Sequence, residues 1–217
     1  MGNYKDITLR ALEVLRDADI VICEEYKEAR RLFARLEINP NELYSLNEHN
    51  EVEDSGELIG KIAEVSKTAL ISDAGSPVFS DPGHYLLSQV LKTGIKVVPL
   101  PGANSVITAL IGSGFNLDSF YFAGWLPQKK ELRKQKLLKL KRITELIVLM
   151  ETPYRLRKLL AEVSSVFGKD TEIVLAYNLT MDDEKFFRGK IGEILKFAEQ
   201  NKLKGAFVLM IENRRRR

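Results

Sequence analysis

Asp73 and Asp81 stand eight residues apart in SDAGSPVFSDPG, residues 72–83, a stretch punctuated by Gly75, Pro77, Pro82 and Gly83. A carboxylate in such a loop either accepts a proton from a bound substrate or caps the loop's own backbone. Both roles are open for Asp73. Asp81, just before Pro82, also stands where a helix cap would. Glu48 and His49 in NEHNE (47–51) are further proton acceptors, and an imidazole pKa near ~6.5 suits proton transfer. His49 fits a substrate contact or a solvated residue at least as well.

Two more loops offer backbone rather than side chains. In PLPGANS (99–105), Pro99, Pro101 and Gly102 bring bare backbone to a helix start, where unpaired N–H groups can meet a ligand's oxygens. METPYR (150–155) again enters a helix through a proline. The segment QKKELRKQKLLKLKR (128–142) carries eight basic residues and one acid. It reads as an RNA phosphate surface, extended by Tyr154-Arg155 and Arg157-Lys158, or as a solvated helix with Leu132, Leu137, Leu138 and Leu140 turned inward.

The elements that must position these loops alternate. Residues 6–16 have helical spacing with Asp6 as N-cap; DIVIC (19–23) reads as a strand buried on both faces. Then come a helix (27–36), LYSL (43–46) as a strand, a helix (55–66), and TALIS (68–72) as the strand feeding the first loop. A helix over 84–94, a strand IKVVPL (95–100) and a helix over 103–114 complete a first domain, residues 1–114, of parallel strands joined by helical crossovers. GSGFNLDS (112–119) marks the boundary. The second domain, 119–217, reads as strand 120–125, basic helix, strand 145–151, helix 153–168, strands 172–180 and 184–189, helix 191–201 and strand 206–212. The adjacent pair 172–180 and 184–189 predicts an antiparallel component and a mixed sheet. In an open α/β sheet ligands bind beyond the carboxyl ends of strands, where all three loops fall.

Composition bounds the rest. The 217 residues are 45% hydrophobic and 29% charged, as in a folded chain. Net charge is +3, and Arg214–Arg217 supply all of it, so any polyanion surface is local. One cysteine, Cys23, excludes an intramolecular disulfide and a cysteine-based zinc cluster; two histidines disfavour a histidine metal site. The first residues lack a signal peptide's apolar core and no run reaches the ~18 apolar residues of a membrane span, so the expectation is a reduced, cytoplasmic protein with no membrane partner.

These motifs, taken in order, carry a resemblance: GN.KDITLRALEVL (2–15), ADIVICE (18–24), NEHNE (47–51), ISDAGSPVFSDPG (71–83), VVPLPGANSVITAL (97–110), FYFAGWLPQKK (120–130), METPYRL (150–156), IVLAYNLT (173–180), FFRGKIGEI (186–194) and KGAFVLMIE (204–212). The chain resembles the small-subunit ribosomal RNA (cytidine-2′-O-)-methyltransferase family of the tetrapyrrole methylase superfamily. The resemblance implies an α/β fold of two domains with S-adenosylmethionine (SAM) in a cleft between them, a homodimer, and RNA of the small ribosomal subunit as partner. It places Asp73, Ala74, Gly75, Ser76, Pro77, Val78 and Phe79 along the methionine and ribose side, with Pro101, Gly102, Ala103, Asn104 and Ser105 beside them. Met150, Ala176, Tyr177 and Ala206 would close around the adenine. The implied reaction is transfer of a methyl group to a ribose 2′-oxygen without a metal, with Asp73, Asp81, Glu48 or His49 taking the proton.

Four departures from the family pattern stand out. The family carries a strand and a Thr-Pro-Ile lead before Gly2-Asn3, so the expectation is a first sheet short of that strand. Its Glu-Asp-Thr-Arg is Glu24-Glu25-Tyr26-Lys27 here; an Arg-Glu pair is Tyr177-Asn178; and a glutamate near the end is Ala206. The lost charges leave two alternatives beside RNA methylation: methylation of a tetrapyrrole or another small molecule, or a SAM-binding dimeric module of weak catalysis.

Overall fold

Ile20–Cys23, apolar throughout, forms the central strand (β1) of a three-stranded parallel sheet in order β2-β1-β3, with β2 at Glu42–Ser45 and β3 at Thr68–Leu70. All four β1 residues are buried, as a strand covered on both faces requires. Their alternation divides them: Val21 and Cys23 join a cluster with Leu15, Ala29 and Phe33, while Ile20 and Ile22 pack with Leu46, Leu58, Leu86 and Val90. Leu46 follows β2; the other partners come from helices α1 (Leu9–Asp17), α2 (Tyr26–Leu36), α3 (Glu51–Glu64) and α4 (His84–Lys92). This structure, a computed structural model, describes residues 2–73 and 75–214. Ala74, expected at the cofactor, and residues 215–217 of the arginine run lie outside the described residues.

The second sheet is mixed, in order β4-β5-β8-β6-β7. β4 (Phe120–Trp125) runs parallel to β5 (Leu146–Glu151); β8 (Phe207–Ile211) is antiparallel to β5 and to β6 (Glu172–Tyr177), and β7 (Lys185–Lys190) is antiparallel to β6. On one face Ile147, Leu149, Leu175 and Leu209 pack under residues of α6 (Lys130–Leu140), α7 (Leu156–Phe167) and α8 (Ile191–Gln200). On the other, Val148, Val174, Ala176 and Met210 pack with Val106, Ala109 and Leu110 of α5 (Ser105–Ser113).

Three expectations need correction. The chain divides into compact units at Asn104/Ser105, not within 112–119. The reason is α5: its buried face belongs to the second sheet, and Arg188 ties its end down through the carbonyls of Gly112 and Ser113. IKVVPL forms no strand. Among the described residues β3 pairs only with β1, and without a neighbouring ladder Val97 and Val98 stay exposed. Helix α1 starts after Thr8, whose Oγ1 accepts from the Ala11 N–H at 3.2 Å, while Asp6 belongs to a short 3-10 turn. The expected alternation, the antiparallel pair and the mixed second sheet are all present.

Candidate functional site

Because β1, β2 and β3 are parallel, the loops that follow them leave the first sheet at one end. That end carries Glu24 and Glu25 after β1, Asn47–Asn50 after β2 and residues 71–83 after β3. The loops are tied to each other. Asp73 Oδ1 accepts from the Glu25 N–H at 3.3 Å, Tyr26 Oη from the Ser45 N–H at 3.2 Å, and Asn50 Nδ2 donates to the Ser45 carbonyl. Asp73 therefore fastens two strand ends through Oδ1, a bond to the loop after β1 rather than to its own loop's backbone.

Asp81 differs. Its Oδ2 accepts from Ser72 Oγ at 2.6 Å, so it does not cap α4. Glu51 does that instead, its Oε1 accepting from the N–H groups of Gly83 (2.9 Å) and Tyr85 (2.7 Å). Burial pushes the Asp81 carboxyl above its ordinary value, while the Ser72 hydroxyl pulls it back. Glu24 is raised by burial and by the neighbouring charges of Asp73, Asp81 and Glu25. Asp73 is raised by partial burial, offset by the Glu25 N–H, with Glu25, Glu28 and Asp81 adding to the rise. Glu24, Glu25, Asp73 and Asp81 thus share one field at the end of the first sheet, with Glu28 adding to it at Asp73. His49 does not join them: its imidazole stands in water beside Glu48, in the loop of the strand on the far side of β1.

The loop over 72–83 is conformationally unusual. Gly75, Val78, Ser80 and Gly83 all have positive φ, and Val78 at 69° is a β-branched residue in the left-handed region. Gly75, at φ 116°, lies so close to the next loop that a Cβ there would sit 3.2 Å from the Ala103 carbonyl oxygen. Ser76 Oγ donates to that same oxygen at 3.2 Å. Gly75, Ser76 and Ala103 thus join the two loops expected at the cofactor. Pro77 is half-buried and Phe79 40% exposed; Pro101 and Gly102 are exposed and Asn104 is half-buried.

In the second unit the register brings together what the sequence scatters. Met150 pairs with Val208 and Ala176 with Val208; Tyr177 pairs with Phe207, the residue after Ala206. All lie at one end of the sheet. Their side chains do not share a face: Ala176 is buried toward α5, Tyr177 toward the opposite helices. Tyr177 Oη accepts from the N–H of Gly205 at 2.7 Å and Lys204 at 3.3 Å, and the Asn178 N–H donates to the Ala206 carbonyl at 2.8 Å. Two of the departures, Tyr177-Asn178 and Ala206, therefore form one contiguous cluster of uncharged residues. Ser105 begins α5. A cavity of about 330 Å³ lined by Asp170, Glu172, Lys190 and Arg214 lies at the opposite end of this sheet, away from all these residues.

Glu51, Ser72 and Tyr26 received no role in the sequence reading. Glu51 carries no local signal, since its partners are more than 30 residues away.

The family model for tetrapyrrole (corrin/porphyrin) methylases matches residues 1–195. The chain belongs to this family. It is 39% identical over 97% of its length to ribosomal RNA small subunit methyltransferase I of Micromonospora olivasterospora, covering 67% of that protein. With the protein of the same name from Vibrio cholerae it shares 38% over 99%, covering 75%. Among solved structures, diphthine synthase superposes with TM-score 0.76 at 17% identity, over 97% of this chain and 86% of that one. Thermus thermophilus uroporphyrin-III C-methyltransferase complexed with S-adenosylhomocysteine superposes with TM-score 0.66 at 15% identity, over 97% and 92%. These last two show the fold alone. As a family member the chain is a SAM-dependent methyltransferase.

Proposed function

We propose that this chain methylates a ribose 2′-hydroxyl in small-subunit ribosomal RNA. The observation that carries the reading is the near-full-length identity of 38–39% to two ribosomal RNA small subunit methyltransferases I, against 15–17% to the superposed enzymes of other names.

The residues of the first unit suit the cofactor. SAM is a zwitterion with an added sulfonium charge, so it favours a site rich in carboxylate and backbone. Glu24, Glu25, Asp73 and Asp81 supply negative potential at the end of the first sheet. Gly75 leaves open, against the Ala103 carbonyl, a narrow gap that any side chain would crowd. Asp73, Gly75, Ser76, Pro77 and Phe79, with Pro101, Gly102, Asn104 and Ser105, are assigned to the cofactor, as are Met150, Ala176, Tyr177 and Ala206. Ala176 and Tyr177 face opposite ways, so at most one of these two side chains can wall an adenine, and the other contributes backbone. When bound, SAM supplies a methyl group on an electron-poor sulfur.

The protein must hold the ribose in line and take up its proton. Asp81 fits the second task best. Its Oδ2 is held by Ser72 Oγ, and burial moves its carboxyl toward the working pH, which makes it the better acceptor. Asp73 positions the loop through Glu25, and His49 is left as a substrate contact. The cytoplasm and a homodimer complete the proposal; no helix among the described residues is long and apolar enough to cross a membrane.

The test is incubation of the purified chain with methyl-labelled SAM and small subunits from a strain lacking the gene. Label in the ribosomal RNA supports the reading. SAM binding by calorimetry with no label in RNA, or label in a tetrapyrrole, contradicts it.

A further inference from the structure

Tyr154 is 93% exposed, the most exposed large apolar side chain described. It sits in the 3-10 turn Pro153–Arg155 between β5 and α7, a turn closed by the Arg155 N–H donating to the Thr152 carbonyl at 2.9 Å. A lone exposed tyrosine is ordinary. This one has company. β4 is parallel to β5 with Trp125 opposite Met150, so the loop after β4 leaves the same end of the sheet one strand spacing away, roughly 4.8 Å. Trp125 is 45% exposed. Lys129 and Lys130 follow it, and Arg157 and Lys158 follow Tyr154; all four are exposed. None of the four forms an ion pair with another described residue.

The neighbouring arginines do not share this freedom. Arg133, 2% exposed, donates Nε and Nη2 to Glu162 and Nη1 to the carbonyls of Pro127 and Gln128, so it braces the start of α6. Arg155 is held by buried Glu151. Among the described residues, this surface presents two exposed aromatic rings and four exposed cations outside any ion pair, with Glu131 as the exposed acid beside Lys130.

We propose that this end of the second unit's sheet binds single-stranded RNA, with Tyr154 stacking on an unpaired base, Trp125 as a second platform, and Lys129, Lys130, Arg157 and Lys158 along the phosphates. The proposal rests on the ribosomal RNA reading and names the class of RNA. A ring standing in water has faces for an unstacked base, whereas duplex bases are already stacked and out of reach. Cations without acidic partners can release counterions from phosphates at no cost in broken ion pairs.

The experiment uses the full chain and fluorescence anisotropy with a labelled unstructured oligoribonucleotide and a duplex of equal length, beside methyl transfer to small subunits. Tyr154→Ala is expected to weaken single-strand binding about five- to 150-fold, with SAM affinity and thermal midpoint unchanged. Tyr154→Trp is expected to restore it. Lys130→Ala is expected to weaken binding irrespective of sequence and to lower the salt slope by about 0.7. Equal single-strand binding by Tyr154→Ala and wild type, or tighter wild-type binding to the duplex, overturns the surface. Wild-type binding without methyl transfer to RNA overturns the ribosomal reading instead.

Discussion

Ser76 Oγ donates to the carbonyl oxygen of Ala103 at 3.2 Å, across 27 residues of sequence, and so joins the two loops that the proposed function assigns to the cofactor. Gly75 meets the same oxygen through the absence of a side chain. Ser76→Ala removes about 1 kcal/mol of hydrogen bonding and is expected to weaken SAM binding about fivefold. Gly75→Ala adds roughly 1–2 kcal/mol of left-handed strain and the crowding at Ala103, for a loss of at least about tenfold. Titration calorimetry measures both. Wild-type affinity in Gly75→Ala would place the cofactor elsewhere.

Asp81 sets a pH dependence. Its carboxyl is raised by burial, so folding favours the protonated form; that stabilisation is complete below the ordinary pKa of 3.8 and is lost as pH rises through the raised value. At neutral pH the ionised, half-buried carboxylate opposes folding. Asp81→Asn should therefore melt higher than wild type at neutral pH, with the gap closing in acid, while kcat falls by about a hundredfold or more. Ser72→Ala removes the hydroxyl that lowers this pKa and should move the acid limb of kcat/KM to higher pH. An unmoved limb would assign the proton to another group.

Cys23 is buried at the centre of the first sheet, and burial pushes its thiol up to about 11. A thiol-disulfide reagent at neutral pH should leave it unmodified in the native chain and titrate it fully in denaturant. Rapid native modification would mean that β1 is more open than its packing implies.

Gly205 has no room for a side chain: a Cβ would lie 2.5 Å from Tyr177 Cζ and collide with the Asn178 amide. Gly205→Ala should cost roughly 1–3 kcal/mol in urea denaturation. Tyr177→Phe, which leaves the Gly205 and Lys204 N–H groups without their acceptor, should cost about 1 kcal/mol.

Arg133→Ala should be destabilising by roughly 3 kcal/mol, the low end for breaking a buried pair, because Glu162 keeps contact with water. In the folded fraction single-strand RNA affinity should hold, in contrast to Lys130→Ala. A lost affinity would put Arg133 in the RNA surface after all.

The periodicities of DIVIC, ELIVLME and AFVLMIE made the strands legible, because a strand covered on both faces must be apolar throughout. IKVVPL has the same composition and failed as a strand, since a ladder needs a neighbour and composition does not report one. The basic segment divided in a way its sequence hides: Leu137 and Leu140 are buried, Leu132 and Leu138 exposed, and Arg133 turns inward to Glu162. At the candidate site, Asp73, Asp81 and the glycine loop were readable as types and spacing. Ser72 was not, because its hydroxyl meets a carboxylate nine residues away, and Glu51 acts across more than 30. Sequence neighbours advertised the loops, while their ties to each other are tertiary.

The central claim is best tested by where the methyl group lands. Ribosomal RNA from the gene-deletion strain, labelled by the purified chain with methyl-labelled SAM, is digested to nucleosides and analysed by mass spectrometry. The label should appear on a ribose, with the adjoining phosphodiester resistant to alkali, and Asp81→Asn should nearly abolish it. Label on a base, or none in RNA while SAM binds normally, would contradict the account.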